Sequence, residues 1–381
     1  MKKKYIIFSI VTLVLLVALI TSFNYFKTTN TYIDDSFNNQ TKITKGISMN
    51  LEQTAGAGDY KTVTQSGWPT EGYKFNSELS RCENGSEISW DDTKKAVIVS
   101  GNLSDKCYVY FDIYQPTLAE YVISQYTGTQ GENNIYYHDS SLANGAGDNS
   151  YRYAGASDSV NNYICLGSDE ATCPDANLFR IIGVFGDQTK VIRAKSVGDQ
   201  KWDTNNSNTW SNSSLNTYLN GTYLTSLGTL ADKIATTTWK VGGGTWSNIA
   251  TSVPKTAYQN EVGSSASSTT VDKKIGLMYV SDYYYSASPS AWTLVGYNKS
   301  DATKDYSAAK TINWLYLGSK EWTISRVSDE TFSAFIVDGS GHVFSYNVNF
   351  SDFAVRPSFN LDSTVTYVSG DGTKSNPIRI N

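Results

Sequence analysis

The sequence predicts an α+β chain: an N-terminal transmembrane helix, a small antiparallel β-module, and a larger antiparallel sheet domain with short helices and long loops. Three observations predict it. One uncharged apolar run opens the chain, short strand-like runs broken by Gly, Asn and Ser fill most of the rest, and only a few stretches show helical spacing.

At 381 residues the chain has room for two or three domains of roughly 100 to 200 residues each. Lys and Arg number 31 against 36 Asp and Glu, and cations cluster only at Lys2, Lys3 and Lys4. Phosphate backbones are bound by clustered cations, so nucleic acid is excluded as a partner. Charged residues are 18% of the chain, beside 27 Tyr and 29 Gly, a bias that fits an extracellular β-rich surface.

Residues 1–24 read as the transmembrane signal anchor. Tyr5 to Phe23 carry no charge over 19 residues, which as a helix spans roughly 28 Å, about the thickness of a bilayer core. Lysines before it and Asp34 and Asp35 after it place the bulk of the chain outside a cell membrane that it crosses once. A cleaved signal peptide has a shorter apolar region, and Ile20-Thr21-Ser22 is a poor cleavage site; a cut there would make the chain secreted. Residues 25–45, rich in Asn and Thr, read as a stalk.

Residues 46–115 form the expected small module. "ISWDDTKKAVIVSG" reads as a hairpin about Asp91, Asp92 and Thr93, and "CYVYFDIY" as a further strand. Four cysteines allow three connectivities. Export makes disulfides the default, with the sequence-local pairs Cys82 with Cys107 and Cys165 with Cys173 at hand. No histidine lies near either pair, so zinc is not expected.

Residues 116–381 form the larger domain. Thr117 and Glu120 make a capping-box pattern ahead of a helical run. "NLFRIIGVF" and "TKVIRAKS" read as a hairpin joined by Gly186 and Asp187, and "WSNSSLNTYLNGTYLTSL" as two short helices broken at Gly221. From "IGLMYVSDYYYSA" the chain is expected to return to β, with "WTISRV", "TFSAFIV", "HVFSYNVNF" and "FAVRPSFNL" as successive strands and "DGSG" at 338–341 as a turn. In the last run Arg356 faces away from Phe353, Val355, Pro357, Phe359 and Leu361, and the proline suggests an edge or bulge. A five-donor guanidinium there suits a structural clamp on loop carbonyls or one carboxylate, with ligand contact as the rival reading.

A catalytic set is not evident. A serine nucleophile needs a base in reach, and His138 and His342 are the only histidines. The glycine runs "VGGG" at 241–244 and "GDGT" at 370–373 do not lead into a Lys-Ser/Thr helix start, Asp91 and Asp92 suit a turn, and Asp338 or Asp371 offers calcium one carboxylate each. No cofactor or metal is expected. Trp202, Trp210, Trp239 and Trp246 lie in polar, loop-like stretches, either as plugs onto the core or as stacking platforms. Trp202, Trp210, Trp246 and Arg356 are the candidate ligand-binding residues, around one cleft.

The ordered set "YRYAGA", "NLFRIIGVF", "WSNSSLNTYLNG", "IGLMYVSDYYYSA", "EWTISR" and "AVRPSFNLDSTVTYVSGDGTKSNPIRI" resembles an uncharacterised domain family of bacterial cell-surface proteins, mostly Gram-positive and gut-associated. The segment "FNSELSRCENGSEISWDDTKKAVIVSGNLSDKCYVYFD" resembles the cysteine-bridged module that often precedes that domain. More distantly, the Trp strand, Gly turn and Val-Arg-Pro strand are similar to the C-type-lectin-like superfamily that includes formylglycine-generating enzymes. That activity needs a late cysteine pair, and no cysteine follows Cys173. The Glu-Pro-Asn and Trp-Asn-Asp motifs of calcium-dependent sugar binding are absent too. The expectation is a non-enzymatic binding or adhesion protein for surface glycan or protein. An envelope enzyme using Arg326, Arg356 and a loop acid, or a purely structural surface protein, are the alternatives.

Overall fold

The computed structural model describes residues 46–64, 67–69, 72–102, 104–350 and 353–381. The anchor expected at 1–24 and the stalk at 25–45 lie outside these residues; among the described ones no helix is long and apolar enough to cross a membrane. The chain divides into two compact units between Gln115 and Pro116.

In the first unit β1 (Ile47–Glu52), β2 (Tyr60–Val63), β3 (Tyr73–Phe75), β4 (Arg81–Cys82) and β7 (Cys107–Ile113) make a five-stranded sheet. β5 (Glu87–Asp91) and β6 (Ala96–Ser100) form the hairpin expected about Asp91, whose Oδ1 accepts from the amides of Thr93 and Lys94. The module is not purely antiparallel, because β1 and β7 pair in parallel, with Met49 opposite Val109. Within the five-stranded sheet these are the two strands with the most buried apolar side chains, and β2 to β6 carry the chain back between them, as a parallel pair requires. The core is small: Met49, Leu51, Val97, Val109 and Phe111, with Phe75 and Trp90 against the last. A disulfide joins Cys82 to Cys107 where β4 and β7 are in register.

The second unit is mixed α and β with antiparallel sheets. Its helix Leu118–Ser124 starts at the predicted capping box, Glu120 N donating to Thr117 Oγ1 and Thr117 N to Glu120 Oε2. The main sheet has seven strands, with β8 (Ile135–Tyr137), β9 (Tyr151–Tyr153), β11 (Leu178–Phe185), β12 (Gln188–Arg193), β15 (Ile275–Gly276) and β19 (Ser358–Leu361) in the order β15-β19-β12-β11-β9-β8, and β10 (Tyr163–Cys165) against β11. The β11–β12 turn is Gly186-Asp187 as read from the sequence, with Gly186 at φ +65°, a conformation that suits a residue without Cβ. β13 (Thr237–Lys240) and β14 (Thr270–Lys273) form a two-stranded sheet, and a three-stranded one holds β16 (Glu321–Arg326), β17 (Ser333–Val337) and β18 (Val343–Asn347) in that order. Cys165 and Cys173 form the second disulfide, after β10.

Three readings change. Residues 214–226 form one helical stretch, because a π-turn at Leu219–Tyr223 absorbs Gly221 instead of breaking there. "IGLMYVSDYYYSA" gives only the two-residue β15 and then a helix, Val280–Tyr285, buried at every position. A short apolar run has no periodicity that tells a strand from a buried helix, and the deciding cap, Tyr279 N donating to Asp282 Oδ2 at 2.8 Å, is not an amphipathic signal. Finally, β19 begins at Ser358, directly after Pro357, and lies inside the sheet between β15 and β12. The proline therefore marks the start of a strand and not an edge, and it costs the ladder no N–H.

Candidate functional site

Arg356 sits just ahead of β19, 3% exposed. Its Nε and Nη2 donate to Glu321 Oε1 and Oε2 at 2.6 and 2.7 Å, and Nη2 also donates to Leu315 O at 2.6 Å. Burial pushes the Glu321 carboxyl up, and the guanidinium pulls it back. Arg356 thus satisfies both a carboxylate and a loop carbonyl from inside the fold. Arg326, the other arginine weighed for chemistry, donates from Nε to Gly242 O at 3.1 Å. Gly243, at φ +63°, lets the "VGGG" run pass against the Arg326 backbone, so that run is a close approach of two chains.

Trp202 and Trp210 are interior side chains, 0% and 1% exposed, packed on each other with ring centroids 5.1 Å apart. The Trp202 indole N–H donates to Thr323 O at 3.0 Å on β16. The platform reading is corrected for both, and Trp239, also buried, donates its N–H to Lys273 O. The reason is local: loops whose Asn, Ser and Thr satisfy their own backbone, as where Asp203 accepts from the amides of Asn205, Ser207 and Ser214, leave the ring to cover the core. Trp246 differs. It is half-buried and stands beside Phe344 and Tyr297, at 5.1 and 5.8 Å.

Both histidines are engaged in local contacts. His138 is fully buried against Tyr285 and Trp292, its Nδ1 accepts from Ala146 N at 3.1 Å, and burial holds its pKa well below the ordinary value. His342 Nδ1 lies 3.2 Å from Ser340 Oγ, and Nε2 lies 3.2 Å from Asp305 Oδ2, a serine–histidine–aspartate sequence of contacts. The single hydroxyl proton of Ser340 is committed to Asp338 Oδ1 at 2.8 Å, and the same oxygen accepts from the amides of Ser340 and His342. That is a turn held by an aspartate, not a nucleophile facing its base. Asp371 likewise closes its own turn, accepting from Thr373 N and Oγ1. Among the described residues no group of three or more His, Cys, Asp or Glu is placed to hold a metal.

What the second unit offers to a partner is a row of aromatic rings along β18, an edge strand of its three-stranded sheet. Phe344 and Tyr346, two apart and so on one face, are partly exposed, and Phe350 follows at 49% exposure. Ring centroids step from Trp246 to Phe344 at 5.1 Å, Phe344 to Tyr346 at 5.7 Å, and Tyr346 to Phe350 at 5.8 Å. Exposed Lys320 places Nζ 4.6 Å over the Tyr346 ring, near its hydroxyl. Buried Phe353, packed against Trp322 with ring centroids 4.7 Å apart, props the row from beneath. Of the four residues expected around one cleft, only Trp246 borders this row. The sequence had an available signal in "HVFSYNVNF", where Phe344, Tyr346 and Phe350 fall at even spacings on and just after a strand.

A cleft of about 600 Å³ lies elsewhere, between the 165–173 disulfide loop and the hairpin of β20 (Tyr367–Ser369) and β21 (Arg379–Ile380). Arg379 closes one wall, donating to Ser168 O and Glu170 O at 2.6 and 2.7 Å, which spends its donors on the loop.

A family model described as a domain of unknown function, DUF6273, matches residues 186–363. The match opens in the β11–β12 turn, ends just past β19, and takes in the whole aromatic row; it is consistent with the uncharacterised domain family expected from the sequence. No curated protein matches the chain, and no solved structure does.

Proposed function

We propose that this chain is an exported, membrane-anchored surface protein whose second unit binds glycan without catalysis. The observation that carries the reading is the partly exposed aromatic row Trp246, Phe344, Tyr346 and Phe350. The apolar face of a sugar ring stacks on such rings, and a row spaced at successive intervals suits several sugar units better than one small ligand. The Tyr346 hydroxyl and Lys320 stand beside the rings and supply hydrogen-bonding groups for sugar hydroxyls. Cell-surface display and a lectin-like affiliation belong to this proposal. Their support is the pair of disulfides, which persist in oxidising compartments, together with the apolar N-terminal run.

Glycan-array binding by the full chain tests it. Tyr346→Ala with Phe350→Ala should lower retention on the bound glycans at least about tenfold, as loss of anchoring rings does, while the melting temperature stays within a few degrees. An array with no bound glycan, or binding that survives both substitutions, overturns the reading.

A further inference from the structure

One buried contact has a geometry that ordinary packing does not need. Lys190 on β12 and Asp282 on the Val280–Tyr285 helix are 5% and 2% exposed, and Lys190 Nζ lies 2.6 Å from Asp282 Oδ2. Aromatic rings enclose the amine: Nζ stands 4.5 Å from the Tyr279 ring, 5.3 Å from Trp239 and 5.8 Å from Phe185. On the other side of the carboxyl, Arg152 places Nη1 3.9 Å from Asp282 Oδ1, and the Tyr279 amide donates to Oδ2 at 2.8 Å. The amine and carboxyl are thus held at hydrogen-bond distance in a water-poor enclosure, the condition in which an intramolecular condensation gains most from orientation.

We propose that Lys190 and Asp282 condense spontaneously to an isopeptide bond that ties the main sheet covalently to the 280–285 helix. One proton first passes from Nζ to Oδ2 along the existing hydrogen bond, turning the ion pair into amine and carboxylic acid. The Nζ lone pair attacks Asp282 Cγ, the C–N bond forms, and the C=O electrons move onto Oδ1, where Arg152 faces the developing charge. A second proton passes from nitrogen to the Oδ2 hydroxyl. As the Oδ1 electrons reform the C=O bond, the Cγ–Oδ2 bond breaks and one water leaves. No oxidant, metal or other reactant is needed, and the product is a neutral amide in place of two buried charges. Burial lowers the Lys190 pKa, which favours the reactive neutral amine, although the Asp282 charge opposes that.

Arg152 is a positioning residue here. It is wholly buried and also bound to Asp148 at 2.6 Å, so its guanidinium is fixed against the reacting carboxyl. Glu261 lies beyond the same helix, accepting from the amides of Val280 and Ser281, and the step uses no atom of it.

The test is mass spectrometry of the full chain, reduced, denatured and digested with trypsin. The expected species is a branched peptide joining the segment around Lys190 to the segment around Asp282, lighter by one water than the two linear peptides together. Fragmentation should place the branch on Lys190 Nζ. Recovery of both linear peptides alone, with trypsin cutting after Lys190, overturns the proposal. Lys190→Arg keeps a cation but cannot form the amide under these conditions, so it should abolish the branched species even in the unfolded fraction. A branched peptide that persists in that variant would also overturn the assignment. Neither outcome depends on glycan binding.

Discussion

The two units differ in how they bury charge. In the first, the buried carboxylates are held by backbone: Glu52 accepts from the amides of Gly58 and Ile113, and Asp105 from those of Asn84 and Ser86. The second unit holds some buried carboxylates the same way, as the amides of Val280 and Ser281 hold Glu261, but there other buried carboxylates meet buried cations from distant parts of the chain, as Glu321 meets Arg356 and Asp282 meets Lys190. Size explains the difference. A core centred on five apolar residues has little interior in which a guanidinium loses its water, so the first unit depends on local amides and a disulfide. The larger core encloses whole ion pairs, and there they act as ties between elements.

Removing one partner of such a tie should show the largest effect. Arg356→Ala leaves the Glu321 carboxylate buried without its partner and should cost the second unit about 3–5 kcal/mol, measured by denaturant unfolding. A loss under about 1 kcal/mol would mean that water reaches Glu321. Replacing both residues by apolar ones, Arg356→Met with Glu321→Leu, should restore most of the stability, because no lone charge remains.

The first unit should respond most to its covalent link. Cys82→Ser with Cys107→Ser opens a loop with a sequence separation of 25, and by loop entropy should cost that unit about 3–4 kcal/mol. Thermal unfolding followed by the fluorescence of Trp68 and Trp90, replaced one at a time, checks it. An unchanged midpoint would show that the small core suffices, and the contrast between the units would fail.

A smaller effect carries a pH signature. Asp148 is half-buried, and its loss of water alone would raise its pKa, but Arg152 and hydrogen bonds from Ser150 outweigh this and hold it well below the ordinary 3.8. Its charged form is the one the fold favours, so its contribution is complete above pH 3.8 and is lost as pH falls below that value towards the folded one. Asp148→Asn should therefore cost about 2 kcal/mol near neutral pH. The gap from the wild type should close as the pH drops below 3.8. A gap that stays constant with pH would assign the loss to packing instead.

Much of the fold was legible because its signals are local. The capping box at Thr117 and Glu120, the Gly186-Asp187 turn and the Asp91 turn each involve residues within four positions of one another, and the chain chemistry alone selects their geometry. The disulfide pairs were legible for the same reason, being near in sequence. The charged residues inside apolar runs were visible too: Arg180 in "NLFRIIGVF", Lys190 in "TKVIRAKS", Glu321 in "EWTISR" and Arg356 in "AVRPSF". Their partners were not. Arg180 is instead sandwiched between Tyr163 and Trp314, and burial brings its pKa down to about 10.

What the sequence by itself determined is therefore the set of short-range elements, and the need for each buried charge to find a partner. Only the tertiary structure decided which partner. It also decided that β1 and β7 run parallel, that Val280–Tyr285 is a helix, and that Trp202 and Trp210 face inward while Phe350 faces out. Each of these depends on free energy gained between residues far apart in the chain, and no local pattern records which distant surface is waiting to be covered.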